Sequence, residues 1–499
     1  MLQQSNILLK LYNMAKSIDD EYLKECIQKG DEGSELLAKV CAPTLTANKY
    51  VRIIGPENRI ALDIPEGYSV FVHSTAARPS EDRRKSGESL VHRLLEQAKH
   101  IRATPIAITD IIDSATGDTN MLREIAEGMA EYASSEGIAI INGENAILGD
   151  VVNGDYNLSG TMISIAPSLD GLPLEGIFEI EGDKYAHFIP RKELGEEFVV
   201  ANSDGIGTKT RFYQRKGLWW PSVDDFLAMV LDDGAKVRGA RVKVASGVIE
   251  TNKPAHQRME CQQYMEDRCR EMGILGTLQT EFGQLNAYKP EVPAYNIGGT
   301  AVSVVSEKDL ENPLIPNVGD KIIAIRGKPN PRSNGITDKR KKMIQYFGEN
   351  WHETEIGKLF LEYLAEPSTV LYPVFKELVD KGLATSVFHM SGGAYNGKFA
   401  RPLAKHNRFA EIKDSFFPDW RELTLIGASS TSAEQAYGKF PMSNDGFITT
   451  SNPEEAAKII KEHRLECRDA GVVYDSKTAG KTGLELKAYN GETVYFPGK

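Results

Sequence analysis

The chain repeats one short segment of its own sequence, and this repeat constrains the fold more than any other feature. Residues 156–165 read YNLSGTMISI and residues 295–304 read YNIGGTAVSV, so the same pattern recurs 139 residues later (295 − 156). This spacing is too long for a solenoid repeat and suits a duplicated domain. A chance match between two unrelated strands is the alternative interpretation.

The sequence around the repeat also occurs twice. The strand-like segment YSVFVHS (68–74) pairs with EFVVANS (197–203), and a helical pattern precedes each repeated strand, at 121–137 and 259–273. Order and spacing therefore agree at three places. This agreement favours a duplicated domain over a chance match.

We therefore divide the chain into four parts. A charged, helical lead-in spans 1–44, copy A spans 45–170, copy B spans 171–312, and a third region spans 313–499. Each copy alternates β-branched strand patterns with helical patterns, so the predicted class is α+β. The third region opens with a strand over 321–326 and continues with helices and glycine-rich turns.

Composition narrows the class of protein. The net charge of −11 argues against a surface for nucleic acids or anionic membranes. No apolar run reaches the roughly 18–20 residues that a membrane helix needs. The five cysteines are scattered without a CxxC pair, which excludes a disulfide scaffold and a structural zinc site. The first residues show no signal-peptide pattern, so we expect a cytoplasmic protein.

The clearest chemical motif is Asp204-Gly205-Ile206-Gly207-Thr208-Lys209, which follows a predicted strand. Its two glycines let a ligand approach the backbone closely and expose amide N–H groups. Lys209 can neutralise a phosphate, and Asp204 can hold a divalent cation between phosphates. The motif is not a Walker A sequence. A plain hairpin turn is the alternative.

A pair of acids follows this motif along the chain. Asp232-Asp233 lies at the end of the helix predicted to begin near Asp224. Paired acids usually occupy a solvated helix face. Their position after a phosphate-type loop makes a second set of metal ligands the alternative.

The two copies differ in their polar motifs. The segment 74–79 of copy A, which we align with 204–209, has no Asp, Gly or Lys, and the acid pair aligns near Glu96-Gln97. Copy A instead carries Asn-Gly-Glu-Asn-Ala at 142–146, directly after a predicted strand. The corresponding stretch of copy B, near 279–281, lacks the Gly-Glu dipeptide. Each copy has therefore kept a different part of a site.

These motifs resemble those of AIR synthase (phosphoribosylformylglycinamidine cyclo-ligase) and its ATP-binding superfamily. The matching family patterns are D-G-[VA]-G-T-K at 204–209, the Asp of N-D at Asp233, S-N-G at 333–335, P-T-R-x-Y at 366–372, [TS]-G-G at 389–393, Y-x-x-F-N-M-G at 437–443 and G-G-E-T-A at 142–146.

The resemblance implies an intrachain pseudo-dimer. In that family two N-terminal domains pair, form a shared β-barrel flanked by helices, and build ATP sites at their junction. Copies A and B would pair in the same way within this chain, followed by one C-terminal α/β domain. One composite site would remain, with Asp204, Lys209 and Asp233 from copy B and Glu144 from copy A. The chain would be a monomer or a higher homo-oligomer.

The resemblance also implies a reaction and roles. The reaction is ATP-dependent closure of formylglycinamidine ribonucleotide to aminoimidazole ribonucleotide through a phosphorylated imidate, in purine biosynthesis. The implied catalytic residues are Glu144, Lys209 and His389. The implied ATP ligands are Asp204, Gly205, Gly207, Thr208, Lys209 and Asp233. The implied substrate ligands are Arg332, Ser333, Asn334, Gly335, Gly392 and Gly393. Mg²⁺ would be held by Asp204, Asp233 and Glu144, with K⁺ as a further cation.

The chain departs from the family pattern at four points. Pro331-Arg332 precedes S-N-G where many members have His, copy A reads N-G-E-N, the P-T-R arginine is missing, and F-N-M-G has become Phe440-Pro441-Met442-Ser443. These departures concern the substrate more than ATP. Arg332 could be a surface arginine and His389 a packed or capping histidine. The alternative functions are a thiamine-phosphate-kinase-like phosphotransferase and an inactive nucleotide-binding relative.

Overall fold

The structure is a computed structural model that describes residues 20–149, 152–168, 176–180, 183–251, 255–282, 295–427 and 432–498. The chain divides into two compact units, of which one is Glu25–Pro313 and the other contains Leu314–Lys499. No helix in the described ranges is long and apolar enough to cross a membrane.

The first unit begins with a long helix and copy A. In chain order the elements are α1 (Asp20–Ala47), β1 (Val51–Ile54), β2 (Arg59–Leu62), β3 (Tyr68–Ala77), α2 (Arg83–His100), β4 (Thr104–Ser114), α3 (Thr119–Ser135), β5 (Ala139–Ile147) and β6 (Tyr156–Pro167). Residues 1–19 of the predicted lead-in lie outside the described residues.

Local sequence explains the helices of copy A. The Asp82 side chain accepts a hydrogen bond from the Lys85 amide at the start of α2, and Asp118 accepts from the Asn120 amide at the start of α3. Such caps satisfy amide groups that have no partner within the helix. The apolar faces of α1, α2 and α3 then pack on one side of the sheet, through residues such as Leu37, Leu90 and Ile125.

Copy B follows with the same plan. Its elements are β7 (Gly176–Ile180), β8 (Asp183–Ile189), α4 (Arg191–Leu194), β9 (Phe198–Gly205), a 3-10 turn (Gly207–Lys209), α5 (Thr210–Lys216), α6 (Ser222–Gly234), β10 (Arg241–Thr251), α7 (Ala255–Glu271), β11 (Leu275–Phe282), β12 (Tyr295–Val305) and α8 (Glu307–Glu311).

The sheet topology confirms the duplication. Copy A contributes the strand order β3-β6-β4-β5 and copy B the order β9-β12-β10-β11. The directions also agree, because β4–β5 and β10–β11 are parallel pairs while the other pairs within these sets are antiparallel. The repeated segments form the equivalent strands β6 and β12.

The strand register corrects one part of the sequence alignment. Thr161 of β6 pairs with Ser74, and Thr300 of β12 pairs with Ser203. Ser74 therefore matches Ser203, and Asp204 matches Thr75, so the alignment of 204–209 with 74–79 is one residue out. Copy A still has no acid at this position.

Two short hairpins are exchanged between the copies. The hairpin β1–β2 opens the strands of copy A but joins the sheet of copy B, where Leu62 pairs with Val199. The hairpin β7–β8 opens the strands of copy B but joins the sheet of copy A along β3. Each sheet therefore contains a hairpin that belongs to the other copy in sequence.

The two six-stranded sheets face each other across one interior. Apolar side chains from both copies form its core, among them Val72, Ile163, Val199, Val244 and Val302. The predicted barrel is thus built from two sheets rather than one closed sheet, because the exchanged hairpins lie along β3 and β9.

A buried layer of hydroxyl groups joins the copies beyond this apolar core. Ser74 Oγ lies 2.8 Å from Ser246 Oγ, and Thr109 Oγ1 lies 2.6 Å from Thr300 Oγ1. Thr300 also donates to Thr161 Oγ1 at 2.9 Å. Each such bond contributes about 0.5–1.5 kcal/mol to stability, and together they fix the register between the sheets.

Two reciprocal pairs lie further along the same interior. Asn157 of copy A donates to Glu250 of copy B at 2.8 Å, and Asn296 of copy B donates to Asp113 of copy A at 2.7 Å. All four side chains are buried. Since Asn157 and Asn296 are equivalent positions of the repeat, these pairs follow the internal two-fold relation between the copies.

The second unit is built on a seven-stranded sheet of order β14-β16-β13-β17-β15-β18-β19, in which neighbours run antiparallel except for the parallel pair β15–β18. Its elements are β13 (Lys321–Arg326), α9 (Ile336–Phe347), α10 (Glu355–Leu364), α11 (Tyr372–Asp380), β14 (Ser386–His389), α12 (Arg401–Lys405), β15 (Arg408–Ile412), α13 (Trp420–Gly427), α14 (Ala433–Lys439), β16 (Gly446–Thr450), α15 (Pro453–Glu462), β17 (Glu466–Asp475), α16 (Ser476–Ala479), β18 (Gly483–Lys487) and β19 (Thr493–Phe496).

Candidate composite nucleotide site

Copy A and copy B meet along the edge formed by β5 and β9. Ser203 Oγ donates to Asn142 Oδ1 at 3.0 Å, and Asn142 Nδ2 lies 3.4 Å from the Ala201 carbonyl oxygen. A Cβ placed on Gly207 would lie 3.5 Å from Leu148. The strand that carries Glu144 therefore runs beside the strand that carries Asp204.

Glu144 faces the shared interior from this edge. It pairs with Ile111 in the β4–β5 ladder, two residues beyond Asn142, so both side chains leave the same face of β5. Glu144 is half-buried. In copy B the same ladder position is taken by Gln279, which pairs with Val248. The acid is thus present in one copy.

The loop 204–209 begins with a tight turn at the end of β9. Asp204 Oδ1 accepts a hydrogen bond from the Gly205 amide at 2.7 Å, and the Ile206 amide donates to the Ile297 carbonyl at 3.1 Å. Gly207 has φ +64°, a conformation that a side chain would strain. The turn therefore requires glycine at this position.

The same loop leads directly into a helical run. The 3-10 turn Gly207–Lys209 continues into α5, so the run covers 207–216. The first amide groups of a helix point away from it and carry partial positive charge, which suits phosphate oxygens. The glycine-rich turn and these amides offer backbone N–H groups, which are the hydrogen-bond donors that a nucleotide phosphate needs.

The motif predicts that Lys209 contacts a phosphate directly, but the Lys209 side chain points into the protein. Its Nζ donates to Asp225 Oδ1 at 2.7 Å, and both side chains are fully buried. The Tyr213 hydroxyl donates to the second oxygen of Asp225. Burial and the Asp225 charge raise the pKa of Tyr213 well above its usual value. The structure therefore gives Lys209 an internal partner in α6.

Asp204 and Asp233 lie at different levels of copy B. Asp204 pairs with Gly299 of β12, against which the ring of Phe226 packs. Gly234, the neighbour of Asp233, packs against Ser303. Four strand residues separate Gly299 from Ser303, which is about 13 Å at 3.3 Å per residue. The backbone at Asp204 and the backbone at Asp233 are therefore separated along the sheet.

The predicted Mg²⁺ ligands are not brought together as one preassembled group. Asp233 makes an ion pair with Lys236, which lies just beyond the end of α6. Among the residues that the structure describes, no group of three or more His, Cys, Asp or Glu side chains is arranged to hold a metal ion. The trio Asp204, Asp233 and Glu144 is one of the groups thereby excluded, because the helix α6 carries Asp233 away from the loop.

Four motif segments of the second unit meet around Arg332. Its Nη1 donates to the Thr369 carbonyl at 3.0 Å and lies 3.7 Å from Asp445 Oδ1. Asp445 also accepts from the Thr369 hydroxyl at 2.8 Å and from Asn330 Nδ2 at 2.9 Å. Arg332 is fully buried. The alternative of a surface arginine is therefore wrong. The prediction that Arg332 binds a substrate phosphate is not supported, because its guanidinium is enclosed.

His389 belongs to the same buried network. Arg332 Nη2 lies 3.4 Å from His389 Nδ1, and His389 Nε2 lies 3.1 Å from Ser391 Oγ. An arginine can only donate, so Nδ1 accepts and Nε2 carries the hydrogen. With both ring nitrogens engaged and the side chain fully buried, the geometry does not support the predicted catalytic base. It supports the alternative of a packed histidine.

The backbone around this network is strained. Arg332, Ala394, Met442 and Ser443 all have positive φ values between 42° and 57°, which non-glycine residues rarely adopt. Such conformations persist where the surrounding structure enforces them, often at functional sites. All four lie in loops that carry the predicted family motifs.

The predicted substrate turns lie on either side of this network. A Cβ on Gly335 would meet the Phe440 ring at 2.1 Å, so the S-N-G turn packs tightly on the F-P-M-S segment. Asn334 is buried, whereas Ser333 is half-buried. Gly392 is exposed, and a Cβ there would meet nothing within 4 Å. Gly392 therefore lies on the open side of these loops, whereas a Cβ on the half-buried Gly393 would lie 3.1 Å from Gly397.

Sequence reasoning missed several charged residues beside these motifs. Lys339 and Glu422 form a fully buried ion pair at 3.1 Å, and Lys339 Nζ lies 3.3 Å from the Asn334 carbonyl. Burial lowers the pKa of Lys339. Asp225 and Asp445 were also missed. The available signal for Asp225 was an acid in the first turn of a helix whose other residues are mostly apolar.

Comparison with known proteins supports the resemblance. Residues 57–166 match the family described as "AIR synthase related protein, N-terminal domain". Copy A is an AIR synthase-related N-terminal domain. The predicted resemblance to the AIR synthase-related superfamily is confirmed.

Curated relatives extend this AIR synthase-related similarity beyond copy A. The phosphoribosylformylglycinamidine cyclo-ligase of Thermococcus kodakarensis is 26% identical over 308 residues, which is 61% of this chain and 86% of the relative. That of Clostridium perfringens is 24% identical over 277 residues, 53% of this chain and 77% of the relative. Among solved structures, thiamine-monophosphate kinase from Stenotrophomonas maltophilia aligns with a TM-score of 0.43 at 15% identity, covering 63% of this chain and 92% of that one.

Proposed function

We propose that the chain is an ATP-dependent cyclo-ligase acting at the junction of copies A and B. One observation carries this proposal: β5 of copy A lies beside β9 of copy B, with Asn142 bonded to Ser203. The Glu144 strand and the 204–209 loop thereby form one composite site. The curated relatives with this name support formylglycinamidine ribonucleotide as the substrate.

The chain's residues would bind and orient rather than react covalently. The amide of Gly207 and the start of the helical run 207–216 would bind phosphate oxygens. The Gly205 amide, which was predicted as an ATP ligand, already donates to Asp204 and is not assigned to phosphate. Asp204 would fix the turn through the Gly205 amide. Glu144 would orient the reacting group from copy A, so that the intramolecular ring closure is well aligned. ATP, when bound, supplies the phosphoryl group that converts the amide oxygen into a leaving group.

The proposed steps use the amides and side chains of this chain. Because the predicted acid trio does not converge, we assign no residue to Mg²⁺ or K⁺ and route no step through either ion. We further propose that the chain acts as a cytoplasmic monomer with an internal pseudo-dimer, since one chain supplies both sides of the site. Gel filtration at the mass of one chain would support this state.

Replacement of Glu144 tests the composite site. We expect Glu144→Gln to lower turnover of formylglycinamidine ribonucleotide about 100-fold, because the change removes a charge that orients the reacting group. The measurement is phosphate release and product formation with ATP, Mg²⁺ and K⁺ present. The matched control is Gln279→Ala, which changes the equivalent position of copy B and should leave turnover unchanged.

The outcome also separates the candidate functions. Full turnover by Glu144→Gln would show that the junction is not the reaction site. ATP binding without turnover of this substrate would favour another phosphotransfer or an inactive relative. Burial of Arg332 and His389 favours the inactive relative over the kinase, because a predicted substrate ligand and a predicted catalytic residue are engaged internally. Thiamine phosphate in the same assay tests the kinase directly.

A further inference from the structure

We infer that Asp225 is a positioning residue, which fixes the phosphate-binding loop through Lys209 and Tyr213. On this inference Lys209 acts as an internal anchor and does not contact phosphate. The inference rests on the proposed function, because it concerns how the 204–209 loop would be held for a nucleotide.

The contacts of Asp225 carry this inference. Both of its carboxylate oxygens are used, one by Lys209 Nζ at 2.7 Å and the other by the Tyr213 hydroxyl. Lys209 closes the 3-10 turn and Tyr213 lies in α5, so one carboxylate ties both halves of the helical run 207–216 to α6. All three side chains are fully buried.

Charge explains why these three side chains act together. A buried ammonium group is strongly destabilised unless an opposite charge accompanies it. Asp225 supplies that charge from the first turn of α6, where an acid is also favoured by the helix dipole. Moving Lys209 to a phosphate would leave Asp225 as a buried charge without this partner. The ion pair therefore stabilises the inward orientation of Lys209.

The opposite side of the loop is fixed independently. The Ile206 amide donates to the Ile297 carbonyl of β12 at 3.1 Å. Trp219, which follows α5, stacks on Tyr295 of β12 with ring centroids 4.0 Å apart. The loop is thus attached to β12 on one side and to α6 through Asp225 on the other. Loss of the second attachment should release the amides that would bind phosphate.

A double-mutant cycle tests the inference with ATP as the probe. Lys209→Met, Asp225→Asn and the double variant are compared with the wild-type chain by calorimetry. We expect each single variant to weaken ATP binding about 10-fold, and the double variant to be no weaker than the singles, because residues of one network are not additive. The control Lys243→Met removes a lysine paired with Glu193 at a partly exposed site and should leave binding unchanged.

Hydrogen exchange supplies a readout that a general loss of stability would not reproduce. In each variant that folds, we expect exchange to accelerate more at the amides of 205–209 than in β4 and β6 of copy A. The double variant removes both buried charges together, so it should remain folded even where a single variant does not.

Each outcome decides between the alternatives. Unchanged or tighter ATP binding by Asp225→Asn, together with weaker binding by Lys209→Met, would show direct phosphate contact by a freed lysine and overturn the inference. Additive losses of about 100-fold in the double variant would overturn it as well. Failure of the wild-type chain to bind ATP would instead refute the proposed function on which the inference rests.

Discussion

At the scale of the residue, Asp110 is the least expected side chain of copy A. It lies on β4 opposite Gly143, where its carboxylate would contact any Cβ at 2.5 Å, and it is 2% exposed. Burial raises its pKa from 3.8 to about 7. The pKa of Cys41 in α1 is also raised, first by its burial and then by the charge of the Asp110 carboxylate. The equivalent residue of copy B is Gly247, so the feature belongs to copy A alone.

The raised pKa of Asp110 predicts the direction in which stability changes with pH. The folded state keeps the proton up to about pH 7, whereas the unfolded chain loses it near pH 4. Stability therefore falls as the pH rises between these values, by an amount on the order of 4 kcal/mol. We expect Asp110→Asn to be more stable than wild type at pH 8 and to lose that advantage towards pH 4.5. Urea unfolding at both values measures this.

The control for this prediction is Asp63→Asn, which alters a half-exposed acid paired with Arg52. It should shift stability by well under 1 kcal/mol at either pH. An advantage of Asp110→Asn that is equal at pH 4.5 and pH 8 would contradict the assigned titration.

At the scale of the element, α2 and α3 cross at two glycines. A Cβ on Gly128 would lie 2.0 Å from the Arg84 carbonyl oxygen, and one on Gly87 would lie 2.2 Å from the Ile125 carbonyl oxygen. Helix backbones in contact leave no room for a side chain. This close approach brings both helices onto the sheet of copy A, where their apolar faces form one core.

Gly128→Ala should therefore destabilise the chain. An alanine in a helix interior normally stabilises by about 1 kcal/mol relative to glycine, but here the methyl group collides with backbone. We expect a net loss of about 2–4 kcal/mol. Gly438→Ala in α14 is the matched control, because its Cβ would meet its nearest neighbour at 3.9 Å. Chemical unfolding of both variants is the measurement, and equal effects would contradict the crossing.

At the scale of the whole molecule, the two copies are mutually dependent. They exchange hairpins, share one apolar interior and bond through Asn157–Glu250 and Asn296–Asp113. Neither sheet could keep these contacts alone. Duplication within one chain gives each half a partner at high effective concentration, which lets the copies differ in sequence.

The copies should consequently unfold as one unit. Copy A has no tryptophan, while copy B has Trp219, which is buried. In a chain that carries Trp220→Phe, Trp351→Phe and Trp420→Phe, fluorescence reports copy B alone. We expect Gly128→Ala in copy A to lower the midpoint of the unfolding transition seen by Trp219 fluorescence. The midpoint of the transition seen by circular dichroism should fall by the same amount. An unmoved Trp219 midpoint would show independent folding.

The sequence alone determined the duplication, the α+β class and the AIR synthase-related resemblance, because repeated strand patterns and glycine-rich loops are local features. It also located the Glu144 segment and the 204–209 loop, which structure brings to one edge. Three-dimensional packing decided the rest. The direction of Lys209, the separation of Asp204 from Asp233, the enclosure of Arg332 and the hairpin exchange all depend on contacts between residues distant in the chain. Local patterns carry no information on which buried charge finds which partner, since burial and pairing are properties of the folded whole.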